Sequence, residues 1–314
     1  MENRIPHIFV LAHSLRQTCH RLGLTLFDLP AFIRDRDFAG LEVSDRQIGR
    51  FSPAERLRLE NECRSCNCQV ILDINVDFTA PSEDYLQEEI DHAIEMLRIA
   101  AGFPARAVRL CIGGQSLSVQ KLFRRHRQSP TASGESPPAP GAPSGPAAML
   151  ILEKAVMLLG HHFRRSRSAQ IGDLEAKISR AIGALKKILP AAETQNLPMG
   201  IENHWGLSGD PRTIIRLIEA IASPRLGTCP DLGNFPRGID PLAGLKLLAP
   251  HAVILHAKSY RFDRDGEEKS IDYRTFLSLF CTAGFSGPIT VEYEGLGNDL
   301  TGCLKTRDLI RRHG

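Results

Sequence analysis

Short apolar runs recur along the chain, and each gives way to a polar stretch and then to a helical pattern. The early runs are His7-Ile-Phe-Val-Leu-Ala12, Gly40-Leu-Glu-Val-Ser44, Gln69-Val-Ile-Leu-Asp73 and Ala107-Val-Arg-Leu-Cys-Ile112. The later ones are Leu197-Pro-Met-Gly-Ile-Glu202, Arg225-Leu-Gly-Thr-Cys-Pro-Asp231, Ala252-Val-Ile-Leu-His256 and Pro288-Ile-Thr-Val-Glu292. Such runs read as parallel strands buried on both faces. Helical patterns fill the gaps, at Tyr85 to Ala101 and at Pro211 to Ala222 for example. In the second, Asp210-Pro211 supplies an N-cap and a first-turn proline, and Ile214, Ile218 and Ile221 form an apolar stripe. Asp240-Pro241 opens another helix in the same way. Strand and helix alternating about every 30 residues predict an α/β fold, a single (β/α)8 TIM barrel across residues 1–314.

One gap breaks this rhythm. Far more chain than one βα unit needs lies between Ile112 and Leu197, and it includes Ser129 to Ala148, a Pro/Ser/Gly/Ala tract. Without periodic apolar positions such a tract cannot offset its ordering entropy, so residues 129–148 are expected to be a disordered insertion in the fourth βα unit. Ala147 to Phe163 and Leu174 to Leu189 are predicted helical. Lys121, Arg124, Arg125, Arg127, Arg164, Arg165 and Arg167 flank the tract and read as solvated helix ends.

The late runs change the picture from fold to chemistry, because each ends in a residue of metal-ligand type. Strand ends of a barrel converge on one mouth, which brings Glu202, Asp231, His256 and Glu292 together. Three carboxylates and an imidazole converging without a cation would repel one another, and a divalent ion such as Mn²⁺, Zn²⁺ or Mg²⁺ removes the difficulty. Residues two apart share a strand face, so His204, Lys258 and Glu294 accompany Glu202, His256 and Glu292 at the mouth. Lys258 suits a substrate oxygen and His204 a hydroxyl. Glu294 and Arg109 complete the candidate substrate-binding set, with Arg109 also placed to pack against or neutralise the site.

Composition excludes more than it assigns. A net charge of +3 and aromatics at 6% argue against nucleic acid. No apolar run approaches the roughly 20 residues of a membrane span. The N-terminus lacks the features of a signal peptide, so a cytoplasmic location is expected. Cys63, Cys66 and Cys68 lack a fourth zinc ligand at a familiar spacing and read as free thiols near a helix–strand turn.

Ile201-Glu-Asn-His204, Pro230-Asp-Leu-Gly-Asn-Phe235, Leu255-His-Ala-Lys258 and Val291-Glu-Tyr-Glu-Gly295 resemble the xylose isomerase-like TIM barrels, and among them the sugar phosphate isomerase/epimerase group. The resemblance implies one divalent metal, Mn, Zn, Co or Mg, on Glu202, Asp231, His256 and Glu292. It further implies that Glu202 and Glu292 exchange a substrate proton. The expected activity is isomerisation or epimerisation of a small carbohydrate carbonyl compound through an enediolate. The alternatives are a lyase or dehydratase of a keto-sugar or inosose, and a non-catalytic sugar-binding barrel. Related DNA-repair endonucleases use additional His and Asp ligands for three zinc ions, and that fuller set is missing here. Ketose 3-epimerases tend to carry His three residues after the metal Asp and Gly-Glu after the metal His. Asn234 and Ala257-Lys258 stand there instead, which implies different substrate recognition.

Overall fold

The computed structural model describes residues 7–113 and 171–314. The 129–148 tract, the expected helix at 147–163 and the basic residues from Lys121 to Arg167 lie outside the described residues. Eight parallel strands form a nearly closed barrel in the order β6-β5-β4-β3-β2-β1-β8-β7. They are β1 Ile8–Leu11, β2 Gly40–Ser44, β3 Gln69–Asn75, β4 Ala105–Cys111, β5 Met199–Glu202, β6 Leu226–Cys229, β7 Leu255–Ser259 and β8 Ile289–Tyr293. Helices alternate with them: α1 Arg16–Leu22, α2 Leu29–Arg34, α3 Asp45–Ile48, α4 Pro53–Ser65, α5 Glu83–Ala100, α6 Ile171–Thr194, α7 Pro211–Ile221, α8 Pro241–Leu248, α9 Tyr273–Thr282 and α10 Asp299–His313.

The helix starts obey local chemistry. Asp210 accepts from the backbone N–H of Arg212, and Asp240 from those of Leu242 and Ala243, with proline at the first helical position in both. Cys63, Cys66 and Cys68 are buried free thiols where α4 turns into β3.

Alternation along the strands sorts the barrel interior into layers. Phe9, Ile71, Ala107, Cys229 and Ile254 form a buried apolar cluster. A side chain at Gly40 would collide with the Phe9 ring, so glycine is what lets that ring in. Two residues beyond Ile71, Ala107, Cys229 and Ile254 stand Asp73, Arg109, Asp231 and His256, and two beyond Gly40 stands Glu42, all buried. The apolar layer excludes water from below, and the charged layer above it faces the C-terminal mouth.

Two strands run differently from the expectation. The run expected to end at His256 continues to Ser259, pairing with β8 from Leu255↔Ile289 to Ser259↔Tyr293. Ala252 and Val253 instead reach back to β6, where Val253 N–H donates to Thr228 O at 2.9 Å. One apolar run thus serves two partners in turn. His256 consequently lies second in its strand, and Asp231 lies two residues beyond the end of β6. The seam between β6 and β7 is closed by isolated bridges, Thr228↔Ala252 and Asp231↔His256.

Candidate active site

Four side chains, from β5, β7 and β8 and from just beyond β6, meet at the mouth. One ligand-type atom from each of Glu202, Asp231, His256 and Glu292 lies within 4.8 Å of all the others. His256 Nδ1 is 2.9 Å from Glu292 Oε2, 3.5 Å from Glu202 Oε1 and 3.9 Å from Asp231 Oδ2. Bonds of about 2.0–2.2 Å to a common cation place ligand atoms at about this mutual spacing.

Backbone contacts hold Asp231 although it lies outside a strand. Asn203 Oδ1 accepts from Asp231 N–H at 2.7 Å, and Asn203 Nδ2 donates to Asp231 O at 3.0 Å. Asp231 Oδ1 accepts from Gly233 and Asn234 N–H at 2.7 and 2.8 Å. Its Oδ2 is buried and has no hydrogen-bond partner. A buried orphan oxygen is costly, and a cation among the four atoms would satisfy it. The donor set and this oxygen therefore fit a divalent ion.

Beneath the quartet lies a network that sequence reading missed. Glu42, fully buried on β2, contacts His256 Nε2 through Oε1 at 3.1 Å and Oε2 at 2.9 Å. It thereby orients the ring so that Nδ1 faces the other carboxylates. Arg109 donates from Nε to Glu42 Oε1 at 2.6 Å, from Nη1 to Glu202 Oε2 at 2.5 Å, and pairs through Nη2 with Asp73 Oδ2 at 2.7 Å. The signal for this network was a charged residue inside an apolar strand run, in Gly40-Leu-Glu-Val-Ser44 and again in Gln69-Val-Ile-Leu-Asp73.

The charges respond to this packing. Burial raises the Glu202 carboxyl, but the Arg109 charge outweighs it and, with His204 and His256, holds the pKa at about 2. Burial works likewise on Glu292, where the Lys258 ammonium and the His256 hydrogen bond hold the carboxyl well below its usual range. Asp231 goes the other way: burial, reinforced by Glu292 and Glu202, overcomes Lys258 and lifts it to about 8. Burial opposes the charge on His256, and Glu42 with Glu292 overcomes it, so the imidazolium persists well above the usual histidine range.

The remaining expected residues border the quartet. Lys258 Nζ donates to Asn234 Oδ1 at 2.9 Å and pairs with Glu292 Oε1 at 3.1 Å and Glu294 Oε1 at 3.5 Å. The two departures from the ketose 3-epimerase pattern, Asn234 and Lys258, thus touch each other. His204 is half-buried, its Nδ1 is buried without a partner, and burial lowers its pKa to about 4. It presents a neutral ring nitrogen beside Cys111 and Glu202. Arg109 lies deeper, its guanidinium engaged by three carboxylates.

The sequence profile described as xylose isomerase-like TIM barrel matches residues 147–313, just over half the chain. The chain belongs to this family. Among curated relatives of this chain, a 3-oxo-isoapionate decarboxylase of Pectobacterium atrosepticum is 33% identical over 85 residues, 27% of this chain and 30% of that protein. The chain therefore matches under a third of that relative's length. Among solved structures, the 3-keto-D-glucoside 4-epimerase of E. coli shares the fold with a TM-score of 0.64 at 8% identity, covering 98% of this chain and 99% of that one. A xylose isomerase-like TIM barrel protein of Mycobacterium smegmatis in complex with magnesium has a TM-score of 0.58 at 14% identity, over 91% and 87% of the two chains. These likenesses show that the barrel fold is shared.

Proposed function

We propose that the protein is a divalent-metal-dependent isomerase or epimerase of a small sugar- or polyol-derived carbonyl compound, working through an enediolate. The observation that carries this reading is the convergence of Glu202, Asp231, His256 and Glu292, with Asp231 Oδ2 left without a hydrogen-bond partner. Those four residues would hold the ion, Mn, Zn, Co or Mg. When bound, it supplies an electrophile for the substrate's oxygens.

The side chains do the rest. Glu202 and Glu292 are both held as carboxylates at neutral pH, so either accepts a proton from carbon. They approach from different strands, which suits removal on one face and return on the other; shuttling by one of them gives isomerisation. Lys258 lies 3.1 Å from Glu292 Oε1, where it steadies that carboxylate and offers charge to a substrate oxygen. The free ring nitrogen of His204 suits a hydroxyl. Arg109 and Glu42 act through Glu202 and His256 as positioning residues.

A lyase is the second reading. It is favoured by the decarboxylase relative and by Lys258, a buried cation where the epimerase pattern carries Glu. The test is elemental mass spectrometry of the purified chain, followed by reaction with keto-sugars in D₂O. About one equivalent of metal, with deuterium entering the sugar and no loss of water or CO₂, supports the isomerase. Loss of either small molecule moves the reading to the lyase, and no metal uptake with any of the four cations overturns both.

Two further outcomes belong to the metal site. Glu42→Gln should weaken cation affinity about 10–100-fold, because the ring loses its orienting carboxylate. Unchanged affinity by chelator competition would remove Glu42 from the site. Cation entry must also expel the protons held on His256 and Asp231. Apparent affinity should therefore rise with pH, by at least about tenfold per unit below the Asp231 value of about 8. Titration calorimetry in buffers of different ionisation enthalpy checks this, and binding without proton release contradicts it.

A further inference from the structure

The wall of the barrel is uneven. Among the described residues, seven neighbouring strand pairs run as registered ladders, from β6 round through β1 to β7. Between β6 and β7 there is no ladder, only the bridges Thr228↔Ala252 and Asp231↔His256. Val253 N–H donates to Thr228 O at 2.9 Å and His256 N–H to Pro230 O at 2.8 Å, so one side advances three residues while the other advances two. An extra residue of this kind is a β-bulge, which interrupts pairing and re-aims the side chains beyond it. Fewer backbone bonds must break to part this line than any other, so local opening belongs here first.

The second bridge joins two members of the metal-type quartet. Each is fixed from its own side. The Asn203 carboxamide, just past β5, holds the Asp231 peptide through both its oxygen and its nitrogen. Glu42 of β2 holds His256 Nε2, and the ladder with β8 runs past His256 from Leu255 to Ser259. The two ligand-type side chains stop short of each other, with His256 Nδ1 3.9 Å from Asp231 Oδ2, beyond hydrogen-bond length. Lys258 crosses the same line, 3.7 Å from Asp231 Oδ2 and donating to Asn234 Oδ1 at 2.9 Å. The pair that departs from the ketose 3-epimerase pattern therefore straddles the seam.

We infer that the cation held by the quartet is also the clasp of the β6–β7 seam. Bonded to Asp231 on one side and His256 on the other, it ties two edges that share few backbone bonds. It thereby sets the spacing across which Lys258 meets Asn234. Without it the bridges still hold the barrel shut on average, but they part more often, and the loops after β6 and β7 move with them. The inference rests on the reading of the quartet as a cation site and goes beyond it. An ion that served only the substrate's oxygens would ask nothing of the wall.

The test is hydrogen exchange on the full chain, resolved to single amides by mass spectrometry. It compares protein in EDTA with protein loaded with Mn²⁺, or with Zn²⁺, Co²⁺ or Mg²⁺ where Mn²⁺ is not taken up. The reporters are the amides of Leu232, Val253 and His256, which donate across the seam, and of Gly233 and Asn234, which donate to Asp231 Oδ1. In EDTA they should exchange at least about tenfold faster than Val43 and Leu72 in the β2–β3 ladder. With free cation at about 100 times its dissociation constant they should slow by about 100-fold, because opening must first release the ion. The last turn of α10, which frays locally, should change less than about threefold. One equivalent of bound cation with the reporters unmoved overturns the clasp and leaves the cation reading standing. Reporters already as slow as the β2–β3 ladder in EDTA, or slowing shared equally by the α10 turn, does the same. No uptake of any of the four cations overturns both.

Discussion

Replacing Arg109 with methionine is expected to destabilise the fold by about 3–5 kcal/mol, the range for stripping one partner from a buried charge network. Arg109 is only 5% exposed and is the common partner of Glu42, Asp73 and Glu202. Methionine fills similar volume, so packing survives while three carboxylates lose their counter-charge. In a domain of this size the melting temperature should drop on the order of 10 °C. The deficit has a pH signature. Arg109 is the main influence holding Glu202 at about 2, below its usual 4.5, so the stabilisation is present above about 4.5 and is lost as pH falls toward 2. Urea unfolding in EDTA across that interval reads both effects. A loss under about 1 kcal/mol, or one independent of pH, would mean that Arg109 does not neutralise the barrel interior.

Glu292→Gln carries the largest expected functional effect. Glutamine keeps the shape and a contact for Lys258 but cannot accept a proton from carbon. Solvent deuterium exchange into a substrate should fall by about 10²–10⁴-fold, the usual contribution of a positioned acid–base group. Circular dichroism should stay unchanged. The variant separates roles in a way a ligand deletion does not, because His256, Asp231 and Glu202 remain to hold the cation. Wild-type exchange by Glu292→Gln would remove this carboxylate from proton transfer and leave it as a ligand alone.

How much of this was legible depended on where the information lies. Glu202 and Glu292 were readable because each follows an apolar run that parallel-strand burial demands, and the barrel then dictates where strand ends meet. His256 was read as the end of its run, yet it is the second residue of β7, because Ala252 and Val253 hydrogen-bond toward β6 before the β8 ladder begins. No local pattern distinguishes an apolar run with one partner from a run with two in succession. Glu42 and Asp73 were hidden for a different reason. Each is one charge inside a strand otherwise suited to burial, and only the register, Asp73 opposite Arg109 on β4, shows what compensates it. The Asn234–Lys258 contact was likewise invisible, since its partners are 24 residues apart, one on the loop after β6 and the other in β7.

Asp231 divides its work between two oxygens. Oδ1 takes the Gly233 and Asn234 amides that shape the loop at the β6–β7 seam, and Oδ2 faces the quartet without a hydrogen-bond partner. Asparagine at this position would keep an oxygen for the two amides while surrendering the charge. In a lineage drifting away from chemistry, that single exchange is the gentlest exit: the barrel stays shut, and only its appetite for a cation goes.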